Sequence, residues 1–174
     1  TIEFDNSCVD EPTSFTFNVN QTVTGATWNF GDGTTSTLIN PSHTYTLPGT
    51  YNVSVTVTGA FGFGSNTSQI TIFPKPTLLN NTVTLKQCDD DNDGYSAFNL
   101  NESIPLLVSS TTGLNITFHE TLTQAQDENS SITNTSSYTN QIINNDIVYA
   151  RVENANGCYK TAQVNLQVST TSIP

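Results

Sequence analysis

Charge is scarce in this chain, and positive charge is nearly missing. Only 11% of the 174 residues are charged, with 4 Lys or Arg against 15 Asp or Glu and a formal net charge of −11. The bases are Lys75, Lys86, Arg151 and Lys160, so none precedes residue 75. The acids of that first half are Glu3, Asp5, Asp10, Glu11 and Asp32. Nucleic-acid binding needs clustered Lys and Arg to neutralise phosphates, so that class of partner is excluded, and an anionic membrane surface with it. Cations remain as the small charged partners the chain can attract. No apolar run is long enough to span a bilayer, which excludes membrane insertion. No signal peptide stands at Thr1, and residues 169–174 form a Ser/Thr tail. The expectation is a monomeric fragment of a longer secreted protein.

Cysteine is also sparse. There are 3, at Cys8, Cys88 and Cys158. A Thr/Asn-rich chain with β patterning and almost no Lys favours an oxidising compartment, and an odd count there leaves one thiol over. Cys88 and Cys158 sit near the two ends of the second half and are the expected disulfide. A loop of that length contributes up to ~4 kcal/mol in the chain-entropy account. Cys8 is then free or paired outside the fragment.

What the chain does have is strand periodicity on a surface of Thr, Asn and Ser. Phe15, Phe17 and Val19 alternate with polar residues, as do Trp28 and Phe30, then Ile70 and Ile72. Tyr51, Val53, Val55 and Val57 fall on one face of a strand that follows the Pro48-Gly49 turn. Asp32-Gly33 and Pro48-Gly49 are turn dipeptides, because Gly supplies positive φ, Asp caps its own turn and Pro presets φ. Gly59 to Gly64 reads as a glycine-rich hairpin tip carrying Phe61 and Phe63. Pro74-Lys75-Pro76 reads as a short, stiff linker. Beyond it, strands are expected at 83–88, 114–119, 146–153 and 161–168, with a short helix near 98–107 capped by Asn99 or Asn101 and a helical turn at 122–127. The N-x-S/T triplets scattered along the chain read as by-products of its Asn/Thr/Ser surface.

The combination Trp28-x-Phe30-Gly31-Asp32-Gly33, His43-x-Tyr45 and Pro48-Gly49-x-Tyr51-x-Val53, closing on Val57, resembles the signature of the PKD domain, an immunoglobulin-like sandwich of extracellular proteins. The resemblance covers roughly the first 75 residues. The second half carries Cys88-Asp89-Asp90-Asp91-Asn92-Asp93-Gly94, then Thr117-Phe118-His119-Glu120-Thr121, Tyr138-Thr139-Asn140 and Val148-Tyr149-Ala150-Arg151-Val152-Glu153-Asn154 ahead of Gly157-Cys158. That order resembles an immunoglobulin-like repeat module of large Bacteroidetes surface proteins exported by type IX secretion. The resemblances imply an all-β chain: two tandem antiparallel Ig-like β-sandwiches joined by a short Pro-rich linker. The expected boundaries are 1–74, a linker at 75–76, and 77–174.

Asp89, Asp91 and Asp93 followed by Gly94 match the start of a calcium loop, in which hard oxygen ligands at alternate positions converge on one cation. The Tyr95 carbonyl is the expected backbone ligand. The twelfth position is Leu100 where an EF-hand has Glu, so Glu102, Glu120 or Asp127 would have to complete the site. The alternative is a solvated acidic turn. Asp32 and His43 are expected to serve the fold, through turn capping and hydrogen bonding inside the sandwich.

Catalytic constellations are missing. His43 and His119 fall in different halves, and no G-x-S-x-G occurs. A Cys88–His119 pair is formally a hydrolase but is better explained by the bridge. A two-carboxylate glycosidase needs a cleft that two small sandwiches rarely provide. The expected function is therefore non-enzymatic: adhesive or spacer modules of a secreted, cell-surface protein, stabilised by calcium. A carbohydrate-binding accessory module is the alternative, with Phe61, Phe63, Tyr95 and Tyr138 as stacking rings. A protein–protein docking module is the second alternative. The expected partners are a surface polysaccharide or another surface protein.

Overall fold

The computed structural model describes residues 1–169, so all but the first residue of the Ser/Thr tail lies outside the described residues. The chain divides into two compact units, Thr1–Pro74 and a second that begins at Lys75.

The first unit is built from β1 (Ile2–Phe4), β2 (Pro12–Phe17), β3 (Val23–Asn29), β4 (Thr35–Ser36), β5 (Ser42–Thr44), β6 (Gly49–Gly59) and β7 (Gly62–Ile72). One sheet has the order β1-β2-β5 and the other β4-β3-β6-β7, all antiparallel. The period-two pattern is what buries Val53, Val55 and Val57 of β6 while Asn52, Ser54 and Thr56 point the other way. Phe15 and Trp28 are fully buried, with ring centroids 5.6 Å apart, and the Trp28 Nε1 donates to the Ile39 carbonyl at 3.2 Å. Phe17 packs only at the margin of this core, and Val19 lies beyond the end of β2 and is exposed.

The turn residues form one local assembly. Gly31 has φ +82°, and a Cβ there would lie 2.5 Å from the Asn52 carbonyl oxygen, so only Gly fits. Asp32 accepts from the Thr34 amide and hydroxyl (3.0 and 2.6 Å) and from His43 Nε2 at 2.7 Å. His43 stacks on Phe30 with centroids 4.2 Å apart, and the Tyr45 hydroxyl donates to the Phe30 carbonyl at 2.9 Å. Burial alone would raise the Asp32 pKa, but the Thr34 and His43 contacts outweigh it and hold the carboxyl below its usual range. Asp32 and His43 are thus tied into the turn they close.

The second unit contains β8 (Thr82–Cys88), β9 (Ala97–Phe98), a 3-10 turn (Leu100–Ser103) running into α1 (Ile104–Leu107), β10 (Leu114–His119), α2 (Leu122–Gln126), β11 (Tyr138–Thr139), β12 (Asn145–Asn154) and β13 (Tyr159–Ser169). Its main sheet has the order β10-β12-β13-β8, and β9 pairs with β11. Asn99 caps the 3-10 turn by accepting from the Asn101 amide. Thr121 and Gln124 form a reciprocal capping box on α2, each bond 3.2 Å. One pairing departs from an all-antiparallel sandwich: β8 runs parallel to β13. Parallel neighbours need a long crossover, and here it is nearly the whole unit.

The inner face of the main sheet buries Phe118, Val148, Ala150, Val152, Val164 and Leu166 against Phe98, Leu100 and Leu107. Part of the outer face is covered as well. Arg151 points outward yet is 6% exposed, because its guanidinium donates to the Ala125 and Gln126 carbonyls of α2 at 3.0 Å and lies 3.6 Å from the centroid of the Tyr159 ring. His119, also buried, is held at both ring nitrogens, by the Asn129 carbonyl at 2.7 Å and the Thr117 hydroxyl at 2.9 Å.

Candidate binding surfaces and the disulfide

The acidic loop begins where β8 ends. One ligand oxygen from each of Asp89, Asp91 and Asp93 lies within 4.8 Å of the other two. The same carboxylates also shape the turn. Asp89 accepts from the amides of Asp93 and Gly94 at 3.2 and 2.9 Å, and Asp93 accepts from the Tyr95 amide at 2.8 Å. The Asp93 amide donates to Asp91 and by itself lowers the Asp91 pKa. Desolvation and the adjoining carboxylates of Asp93 and Asp89 reverse this, and the group sits above its ordinary value. Tyr95 follows directly on the loop. Glu102 is exposed on the 3-10 turn and is not one of the three clustered carboxylates.

Asn140 holds the loop from behind. It is 1% exposed; its Oδ1 accepts from the Ser96 amide at 2.8 Å, and its Nδ2 donates to the carbonyls of Gly94 at 3.0 Å and Ile142 at 2.9 Å. Gly94 has φ +83°, and a Cβ there would meet Ile143 Cγ1 at 2.3 Å. Sequence reasoning singled out Gly94 for its turn but missed Asn140. A lone Asn among many carries no periodic signal, and two of its three partners, Ser96 and Gly94, lie over 40 residues away.

Phe61 and Phe63 sit on the hairpin that joins β6 to β7, 90% and 82% exposed. They do not fold back over the end of the sandwich. Tyr138, grouped with them as a stacking ring, is only 8% exposed, and its hydroxyl donates to Glu120. It belongs to the core of the second unit and offers no open face.

The cysteines correct the expected pairing. Cys8 and Cys158 are disulfide-bonded, whereas Cys88 is a free, exposed thiol. The parallel register explains why Cys88 cannot reach Cys158. Cys88 pairs with Ser169 at the far end of β13, while Cys158 immediately precedes that strand. At about 3.3 Å per residue the two are roughly 35 Å apart, against a Cα separation of at most about 7 Å in a disulfide. The same register separates Cys88 from His119, which shares a cross-strand row with Tyr149, Gln163 and Thr82. Six residues along β8 place that row about 20 Å from Cys88, so no Cys–His pair is assembled.

Fold and surfaces together define tandem immunoglobulin-like β-sandwich modules. Residues 2–73 match the PKD domain, and the first unit is one. Residues 84–174, just over half of the chain, match the Flavobacterium inter-domain disulphide bond domain, and the chain belongs to that family. It is similar to Collagenase ColA of Bacillus cereus, 44% identical over 68 residues that make up 39% of this chain and 6% of the collagenase. Among solved structures it is similar to the PKD1 domain of Vibrio anguillarum Epp, with 26% identity, a TM-score of 0.37 and coverage of 41% of this chain and 88% of that one. It is likewise similar to the PKD1 domain of the Vibrio cholerae metalloprotease PrtV, with 25% identity, a TM-score of 0.36 and coverage of 41% and 91%. The chain spans only a small part of the curated relative it matches.

Proposed function

We propose that this chain is a non-catalytic pair of accessory modules from a secreted, cell-surface protein, working as a stiffened spacer. The observation that carries the reading is the oxidation state of the cysteines: Cys8 and Cys158 are bonded and Cys88 is free. With three cysteines in the chain, that leaves Cys8 and Cys158 to bond to each other, one from each unit. The family's description as an inter-domain disulphide bond domain supports the same pairing. Such a bond would add a covalent restraint to that of the short Pro-Lys-Pro linker. An oxidising location outside the cell is where a bond of this kind persists.

The non-catalytic reading rests on where the titratable groups have gone. His43 is committed to Asp32, and both nitrogens of His119 are taken by Asn129 and Thr117. The reading includes calcium, with Asp89, Asp91 and Asp93 and the Tyr95 carbonyl as hard oxygen ligands. Convergence of the three carboxylates supports it, since a cation relieves their mutual repulsion. Adhesion through the exposed Phe61 and Phe63 is a second reading, favoured by the presentation of two largely exposed aromatics on one hairpin.

Small-angle scattering before and after reduction tests the spacer. Reduction should broaden the distribution of distances between the two units while the circular dichroism of each sandwich stays unchanged. A scattering profile indifferent to reductant would sink the reading.

A further inference from the structure

Beside the start of α2, the outer face of the second unit's main sheet carries a groove of about 570 Å3. This lies within the ~300–1,000 Å3 typical of small-ligand sites. Alternation explains its lining. Where Val148, Val164 and Leu166 point into the core, Ile147 and Tyr149 of β12 and Asn165 and Gln167 of β13 must point out. The register then sets them in rows: Thr84, Asn165 and Ile147 lie side by side, and Gln167 lies beside Asn145. The beginning of α2 supplies one wall, with Leu122 and the Glu120 carboxylate.

We infer that this groove binds an uncharged oligosaccharide. Three observations select that occupant. First, the floor pairs apolar surface with hydrogen-bonding groups that have nothing to do inside the fold. Tyr149 is half-buried, and its hydroxyl and the side chains of Asn145 and Gln167 make no hydrogen bond among the described residues. A pyranose needs this mixture: an aromatic or aliphatic surface for its C–H face and neutral amides for its hydroxyls. Second, no Lys, Arg or His lines the groove, while Glu120 does and the chain carries −11 overall. Phosphates, nucleic acids and polyuronates are therefore repelled. The second lining carboxylate, Asp146, is 7% exposed and already occupied by the amides of Gln141 and Ile147, so it provides no cation site. Third, the groove lies over the face of the sheet: β12 and β13, which supply most of its floor, are hydrogen-bonded to neighbours on both sides, and the edge strand β8 contributes Thr84 alone. It offers an extended peptide no backbone ladder, so recognition must come from side chains. This inference goes beyond the spacer reading and does not use Phe61 or Phe63.

Native affinity electrophoresis of the full chain tests it, with hydroxyethylcellulose, xyloglucan, laminarin and galactomannan in separate gels, and with polygalacturonate and gelatin as charged and proteinaceous probes. Retardation by at least one neutral polysaccharide is expected. Tyr149→Ala should weaken it by about tenfold or more, the scale of one lost aromatic platform, and Gln167→Ala, exposed and without an internal partner, by a few fold at unchanged thermal midpoint. Phe61→Ala and Phe63→Ala should leave it intact. Three results would each overturn the inference: no neutral polysaccharide retards the protein; polygalacturonate or gelatin retards it more strongly; or retardation survives both Tyr149→Ala and Gln167→Ala. Loss with Phe61→Ala alone would transfer binding to the hairpin tip. None of these outcomes bears on the disulfide, so the spacer reading stands or falls separately.

Discussion

Asn140→Ala should selectively loosen the second unit. The side chain is buried and makes three hydrogen bonds, to Ser96 N, Gly94 O and Ile142 O. Truncation leaves those partners behind, but unequally. The Gly94 carbonyl keeps the Asn144 amide as a donor at 2.9 Å, so its loss is partial. The Ser96 amide and the Ile142 carbonyl lose the Asn140 side chain outright. At ~2 kcal/mol for each buried group left unsatisfied, the middle of the usual range, one to two such groups give a cost of about 2–4 kcal/mol. For a unit of this size that corresponds to a fall of roughly 10–25 °C in its midpoint. Differential scanning calorimetry is the assay, read together with near-ultraviolet circular dichroism at Trp28, the one tryptophan, which reports on the first unit alone. Asn140→Asp keeps the acceptor but aims a carboxylate at two carbonyls, so it should be no milder than Ala. A midpoint lowered by less than about 2 °C in both variants would refute the claim that Asn140 is the anchor of the acidic loop.

Gly94→Ala should cost about 3 kcal/mol or more, because positive φ and overlap with Ile143 act together. Gly33→Ala, with φ +94° but open space around its Cβ, should cost only ~1–2 kcal/mol; equal losses in urea denaturation would contradict the steric account. The acid limb of the first unit should depend on Asp32. Its folded pKa lies below the unfolded value near 3.8, so its contribution is complete above that value and fades as pH falls through the folded pKa. Asp32→Asn should flatten stability against pH below about 4, though not abolish the slope, since Asp5 is shifted the same way by the Ser14 amide. Chelator should lower the midpoint of the second unit by several degrees, as expected on removing a ligand of the folded state alone, and Asp91→Asn with Asp93→Asn should remove the difference.

Much of the first unit was legible because its signals are local. Trp28, Phe30, Gly31, Asp32, His43 and Tyr45 lie within 18 residues of one another, and their contacts close on themselves. Strand periodicity also located β10, β12 and β13, and of the two cap candidates Asn99 and Asn101 it is Asn99 that caps the 3-10 turn, while the Thr121 cap of α2 was not foreseen. Short pairings such as β4 with β3 and β9 with β11 stayed hidden, since two residues show no period. The decisive failure was at Cys88. Proximity to the ends of a segment stood in for proximity in space, and the parallel β8–β13 ladder reverses that inference. Register between strands some 80 residues apart is a tertiary property that alternation cannot reveal. The outer groove was missed for a related reason: Tyr149, Asn165 and Thr84 become neighbours only through that register.

The most direct test of the central claim is non-reduced peptide mapping by mass spectrometry after alkylation of free thiols. The account predicts one cross-linked species joining the Cys8 and Cys158 peptides, lost on reduction, with Cys88 carrying the alkyl group in full. A cross-link that contains Cys88, or Cys8 and Cys158 both alkylated without reductant, would contradict it.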